Sequence, residues 1–312
     1  MRSRFLFPAA LAALALTLLA ACGDDNNSGG GNLSGSISID GSSTVGPLTE
    51  AAAELFREEN PDVKITVGVS GTGGGFEKFC AGETDISDAS RQIEQEEIDA
   101  CKKENITYEE VQVANDGIAN VVNPDNDWAT CLTVAELKKV WDRSSKVNNW
   151  NQVRSDFPDQ EMKLFGAGTD SGTFDYFTEQ INGEEGRSRS DYSPSEDDNV
   201  TVQGVSGDKG NAGYFGLSYA LENEGRVKTL EVDDGDGCVA PTNETVQNGT
   251  YKPLSRPLFI YPSGKALQNE TTREFVQFYV DNYDTIAEQA KFVPLTNEQA
   301  QQSKDAVAQL AG

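Results

Sequence analysis

Residues 162–174 read MKLFGAGTDSGTF. Met162 to Phe165 opens as a strand, a loop of Gly, Ser and Thr follows, and Phe174, Phe177 and Ile181 then recur at helical spacing. The Asp170-Ser171-Gly172-Thr173 run inside it has two readings. It could carry the acid of an aspartic protease, or it could end a strand, start a helix and hold an anion. The protease reading needs two such carboxylates about 3 Å apart that share a proton. No second Asp-Ser/Thr-Gly occurs in the chain, and such proteases are β-rich, whereas this loop joins a strand to a helix. Anion capture is the better account, with Asp170 as a cap or an acceptor that orients the loop.

The same unit occurs twice more. Ser36 to Ile39 alternates as a strand, Asp40-Gly41-Ser42-Ser43-Thr44 turns the chain, and Leu48, Ala52, Leu55 and Phe56 mark a helical face. Val63 to Val69 alternates again, Ser70-Gly71-Thr72-Gly73-Gly74-Gly75 follows, and Phe76, Phe79 and Cys80 mark the next helix. Glycine lets a backbone approach a ligand closely, and Ser or Thr at a helix start points hydroxyls and amides forward. The first amides of a helix are unpaired and lie at the positive end of its dipole. One such loop is an ordinary cap; three in one chain point to a shared anionic ligand. None is a nucleotide loop, because no Gly-Lys-Ser/Thr closes them and Gly73-Gly74-Gly75 lacks the dinucleotide spacing. Strands alternating with helices predict an α/β fold with a largely parallel sheet.

Composition narrows the function further. Residues 1–21 combine two arginines, a short apolar run and small residues, the pattern of an export signal. Leu19-Ala20-Ala21-Cys22 resembles a bacterial lipobox, so Cys22 is expected to carry lipid and to begin the mature chain. Residues 22–33, rich in Gly and Asn, are expected to form a flexible tether. Residues 1–21 contain Arg2 and Arg4 and no acid, so the formal net charge of −26 becomes −28 once they are removed. So acidic a surface repels nucleic acid and anionic lipid. An anion site must therefore use local dipoles and a buried arginine rather than the overall field.

The chain has no histidine, which excludes Ser-His-Asp and Cys-His nucleophile systems and the commonest zinc ligand sets. Of five cysteines, Cys80, Cys101, Cys131 and Cys238 remain after Cys22. Three pairings are open, and we expect Cys80–Cys101, close in one early segment, with Cys131–Cys238 bracketing the middle. The wide spacings and the lack of Cys-x-x-Cys speak against metal. No metal, cofactor or catalytic residue is expected.

After the second unit comes Asp85-Ile86-Ser87-Asp88-Ala89-Ser90-Arg91. One reading is a solvated loop with a local ion pair. The sharper one sets Arg91 against an oxyanion and lets Asp88 accept a proton from it. Monohydrogen phosphate has that proton and sulfate at neutral pH does not, so the acceptor would welcome one and leave lone pairs unmatched against the other.

These segments, in this order, resemble the phosphate-binding lipoproteins of the bacterial phosphate ABC transporter. GSSTVGPLTEAAAELF is similar to that family's first phosphate loop, and SGTGGGFEKFCAGETDISDASR to its second loop and acidic segment. VANDGIANVVNPDN and PLSRPLFIYP resemble its two crossings between lobes, near 114–122 and 251–260. GTDSGTFDYF resembles its third loop and KGNAGYFGLSYA its later Gly-aromatic region.

The resemblance implies a type II periplasmic-binding-protein fold, with two α/β lobes, two crossing segments and a ligand cleft between them. It divides the chain into lobe 1 (34–116 and 256–312) and lobe 2 (117–255). It also implies phosphate contacts from Ser43, Thr44 and Val45, from Thr72, from Asp88 as proton acceptor, and from Ser171, Gly172 and Thr173. The family's arginine before Ser-Gly-Thr is replaced by Gly166-Ala167-Gly168 here, and Arg91 is expected to supply the charge instead. The implied function is extracytoplasmic phosphate capture and delivery to a membrane permease, by a lipid-anchored monomer that binds no nucleic acid.

The alternatives are a sulfate or other oxyanion receptor and a secreted phosphatase. A phosphatase would need carboxylates alone as metal ligands, and Asp197-Asp198 and Asp233-Asp234 read more simply as solvated loops. Asp191 to Asp198 is expected as a surface loop, and Trp128, Trp141, Trp150 and Tyr214 as core.

Overall fold

A computed structural model describes residues 33–169 and 171–311. The export signal over 1–21, Cys22, the tether up to residue 32, and Asp170 lie outside the described residues. The first lobe opens with β1 (Gly35–Gly41), α1 (Gly46–Glu59), β2 (Val63–Val69), α2 (Gly71–Cys80), β3 (Ile86–Ala89) and α3 (Gln95–Lys103). The long strand β4 (Val111–Val122) then leaves it. The second lobe holds β5 (Cys131–Thr133), α4 (Val134–Trp141), α5 (Trp150–Val153), β6 (Leu164–Ala167), α6 (Gly172–Phe177), β7 (Ser193–Ser195), α7 (Asp198–Ser206) and β8 (Ala212–Gly216). It continues through α8 (Leu217–Glu222), β9 (Lys228–Thr229), β10 (Glu231–Asp233), β11 (Cys238–Val239) and α9 (Asn243–Gln247). The strand β12 (Ser255–Pro262) returns, and α10 (Glu270–Asp281), α11 (Tyr283–Gln289) and α12 (Asn297–Ala311) complete the first lobe.

The main sheet runs β2-β1-β3-β12-β4-β8-β6-β7, with β9 also on β4. Each lobe contributes parallel pairs: β1 with β2 and β3, and β6 with β7 and β8. The sheet is mixed rather than largely parallel, because the two crossing strands travel in opposite directions. β12 pairs antiparallel with β3 and β4, and β4 antiparallel with β8 and β9. β4 is buried along almost its whole length, as a strand with neighbours on both edges and cover on both faces must be. Its start joins a core with Ile37, Leu48, Phe56, Phe275 and Tyr279, and its end joins a second core with Trp141, Trp150, Phe177 and Tyr214. This is a two-lobed periplasmic-binding fold.

The apolar spacings read in the sequence become the buried faces. Leu48, Ala52 and Phe56 of α1, and Phe76, Phe79 and Cys80 of α2, are all buried. Trp141, Trp150 and Tyr214 are core, and Trp128 packs against them. In the second lobe Phe177 stacks on Tyr214 with centroids 3.8 Å apart, and the edge of Trp141 meets Tyr214 at 4.8 Å. Residues 191–198 depart from expectation. Instead of a loop they supply the edge strand β7, paired with β6, and the Asp197 cap of α7.

The disulfides are Cys80–Cys101, which ties α2 to α3, and Cys131–Cys238, which ties β5 to β11 across a separation of 107 residues. Glu231 lies beside the second pair, but its two sulfurs are bonded to each other and leave no thiolate for a metal. Closing so long a loop removes much of the unfolded chain's freedom. Replacing Cys131 and Cys238 together by alanine is expected to lower the unfolding free energy by about 2–4 kcal/mol. Urea unfolding under non-reducing conditions measures this, and an unchanged midpoint would show that the bridge adds nothing to stability.

Candidate functional site

The three Gly/Ser/Thr loops converge on one cavity of about 550 Å³. Its wall includes Ser42, Ser43 and Thr44 before α1, Ser70 to Gly74 at α2, Ser90 and Arg91 after β3, and Gly172, Asp175 and Tyr176 of α6. The crossing strand β12 adds Arg256 and Pro257. Polar donors from both lobes thus face a common space, with two helix starts, of α1 and α2, among its walls.

Each loop is held by its own side chains. Ser42 Oγ accepts from the amides of Thr44 at 3.2 Å and Val45 at 3.4 Å, and Pro47 in the first turn of α1 has no amide to satisfy. At α2, Ser70 donates to Asp40, whose other oxygen accepts from Lys78 Nζ at 2.7 Å. Burial would raise the Asp40 carboxyl, but the Lys78 and Ser70 hydrogen bonds outweigh it and hold it below its ordinary value. The glycine run there answers to packing. A Cβ on Gly75 would lie 2.5 Å from Gly41 Cα, so only glycine lets α2 sit this close to β1. Thr72 Oγ1 lies 3.1 Å from Ser90 Oγ and accepts from the Ser90 amide at 3.2 Å, which links the second loop to the end of β3. At α6, Ser171 Oγ caps the helix by accepting from the Thr173 amide at 3.1 Å.

Arg256 joins these parts. Its side chain is 11% exposed and donates from Nε to Asp116 Oδ2 at 3.1 Å. Its Nη2 donates to Thr44 Oγ1 at 2.7 Å and to the Gly172 carbonyl at 3.3 Å. The guanidinium lies over the Tyr176 ring, 3.8 Å from the centroid, a favourable cation–π contact. Tyr176 is pinned in turn, its hydroxyl donating to Pro253 O at 2.7 Å and Ser255 O at 3.0 Å. Burial pushes the Tyr176 phenol well above its ordinary range, so it stays a neutral donor. One cation therefore contacts the first loop, the third loop and both crossing strands.

Of the residues expected from the sequence, Ser43, Thr44, Thr72, Arg91 and Gly172 line the cavity. Four do not form its wall. The Val45 amide turns to Ser42 Oγ and its side chain is fully buried, and Ser171 and Thr173 bond to each other as the cap of α6.

The fourth is Asp88, expected as the proton acceptor. It is fully buried and is not part of the cavity wall, and its Oδ1 accepts from Thr49 Oγ1 at 3.0 Å.

Arg91, expected as the cation, does line the cavity. It stands at the rim, but Glu97 takes its guanidinium in two hydrogen bonds of 2.9 and 2.8 Å, and Glu94 approaches Nε at 3.3 Å. The cation that sequence reasoning missed is Arg256. The available signal was one charged residue inside the apolar crossing stretch Leu254 to Pro262.

Comparison with known proteins shows the family. The PBP superfamily domain matches residues 26–282. The chain is similar to protein SphX of Synechococcus elongatus, 48% identical over 83% of this chain and 77% of that protein. It is also similar to the phosphate-binding protein PstS of Staphylococcus saprophyticus, 40% identical over 92% of this chain and 89% of that one. A crystal structure of a possible phosphate binding protein from Planctomyces limnophilus superposes with a TM-score of 0.85 at 46% identity, covering 90% of this chain and 100% of that one.

Gly172 of the second lobe packs tightly against Thr44 of the first. A Cβ there would lie 2.3 Å from Thr44 Oγ1 and 2.8 Å from its amide nitrogen. Gly172→Ala is expected to cost the closed arrangement about 1–3 kcal/mol and to leave the fold of each lobe intact. Small-angle scattering should show a larger radius of gyration for the variant. A radius equal to that of the parent would mean this contact does not set the lobe separation.

Proposed function

The chain belongs to the PBP superfamily, among its phosphate-binding proteins, and from that premise we propose that it captures inorganic phosphate between its lobes outside the cytoplasm. The observation that carries this reading is Arg256. Its guanidinium reaches Thr44 of the first loop and Gly172 of the third at once, so an anion held there would draw both lobes together. Ser43, Thr44, Thr72, Ser90 and Gly172 supply neutral donors around it. Ligand contacts made to both lobes favour the closed form. The closed form would then be presented to the permease of an ABC transporter. The relatives are binding proteins and not enzymes.

The finer parts of the reading follow from the same premise. Lobe 1 comprises 34–116 and 256–312, and lobe 2 comprises 117–255. Cys22 carries lipid and tethers a monomer to the membrane. Among the described residues no helix is long and apolar enough to cross one. The role of proton acceptor falls to Asp175, which lines the cavity, with Oδ2 3.5 Å from Ser43 Oγ. A carboxylate facing an anion is tolerable when the anion brings a hydrogen for it, as monohydrogen phosphate does and sulfate does not.

Calorimetric titration of the mature protein, stripped of ligand by unfolding and refolding, tests the reading with phosphate and sulfate at fixed salt. One-to-one phosphate binding without a sulfate signal is expected; sulfate binding instead would overturn the ligand and keep the fold. Arg256→Ala should weaken phosphate by about two orders of magnitude, as truncating one partner of a desolvated charge pair does. Arg91→Ala, losing a half-exposed cation already paired with Glu97, should cost about fivefold at most. Equal losses from the two variants would remove Arg256 from its assigned place. Asp175→Asn should weaken phosphate about tenfold or more and admit sulfate; sulfate rejection that survives this change would exclude Asp175 as the selector.

A further inference from the structure

Asp88 lies behind the first anion loop and takes no part in the cavity wall. It is fully buried. Its Oδ1 accepts from Thr49 Oγ1 at 3.0 Å, and its Oδ2 has no hydrogen-bond partner among the described residues. The Thr49 hydroxyl also lies 3.2 Å from the Tyr279 hydroxyl of α10. The main chain of Asp88 binds the same loop, because the Ser42 amide donates to its carbonyl at 2.9 Å. One residue thus grips the loop through its carbonyl and the first turn of α1 through its carboxyl.

The surroundings favour the uncharged acid. Asp40 on β1 faces Asp88, with Lys78 of α2 already bound to it, and Tyr279 faces it from α10. α1 presents Thr49, and β12 sets Ile260 opposite. A buried carboxylate with one donor and an acidic neighbour is costly, whereas the protonated acid is not. Burial pushes Asp88 up to about 8, against the Thr49 hydrogen bond and with a further push from Asp40.

We propose that Asp88 is a positioning residue kept as the neutral acid behind the first anion loop, and that its ionisation weakens anion capture. Loss of the proton to solvent sets a negative charge behind Ser42 to Val45, where it competes with the ligand for the positive end of α1. It also leaves a charged oxygen without a donor. The sign for folding is the same. The folded-state value lies above the ordinary 3.8, so the stabilising contribution is full below that value and is lost as pH rises through about 8.

This inference rests on the phosphate reading above, and the experiment separates the two. Phosphate Kd is measured for the parent and Asp88→Asn at fixed salt, near pH 6.5 and near pH 9.5. Taking the ratio of the two constants at each pH cancels the titration of phosphate itself. The constants should agree at the lower pH, and the parent should be weaker by about fivefold or more at the higher. Thr49→Val provides a second variant should Asp88→Asn fail to fold. Without its one donor the ionised form is less favoured, so the alkaline loss of affinity should begin at higher pH than in the parent. A ratio that does not change with pH, or a Thr49→Val profile that coincides with the parent's, would overturn the inference. No phosphate binding by the parent near pH 6.5 would overturn the functional reading, and this inference with it.

Discussion

A single guanidinium in contact with both lobes governs the cleft. The chain carries a formal charge of −26, so its long-range field repels the anions that its loops are built to meet. Attraction has to be local, and on the proposed reading it comes from Arg256, which lines the cavity where three loops meet. A buried cation is costly unless it is paired and fully hydrogen-bonded. Asp116 pairs with its Nε from the neighbouring crossing strand, Thr44 and the Gly172 carbonyl accept from its Nη2, and the Tyr176 ring lies against one face. These partners belong to different elements, so the site is complete only when those elements are together.

The crossing strands make that assembly possible. β4 and β12 lie side by side in one sheet and pair antiparallel from Ser255 opposite Gly117 to Ile260 opposite Val111. Each lobe keeps its own core, and β4 feeds both of them. Arg256 and Asp116 face each other across this ladder. The cation therefore sits on the connection itself and touches Thr44 on one side of the cleft and Gly172 on the other. A change in the angle between the lobes must pass through the strands that hold the ion pair.

Much of this was legible in the sequence, and what was not has physical reasons. The three loops announced themselves because one Gly/Ser/Thr helix start is an ordinary cap whereas three in one chain point to a shared ligand, and Cys80–Cys101 was legible from its closeness along the chain. The surroundings of Asp88 were not legible because β3 is buried on both faces. A period of two cannot then say which residue faces the ligand. The pairing of Arg91 was not legible because Glu97, six residues on, serves both its guanidinium and the cap of α3. Sequence distance hides such sharing. Arg256 is a tertiary fact: it stands 212 residues from the Thr44 hydroxyl it reaches. Residues 193–195 read as loop because nothing local marks an edge strand whose only partner is β6.

The placement of the aromatic residues has a spectroscopic consequence. The three tryptophans, Trp128, Trp141 and Trp150, all belong to the second lobe's core or pack on it, whereas the first lobe's core holds Phe56, Phe275 and Tyr279. Intrinsic tryptophan emission is therefore a private reporter of one half of the molecule. Melting of the first lobe alone would pass unseen in that signal and would have to be followed through its tyrosines.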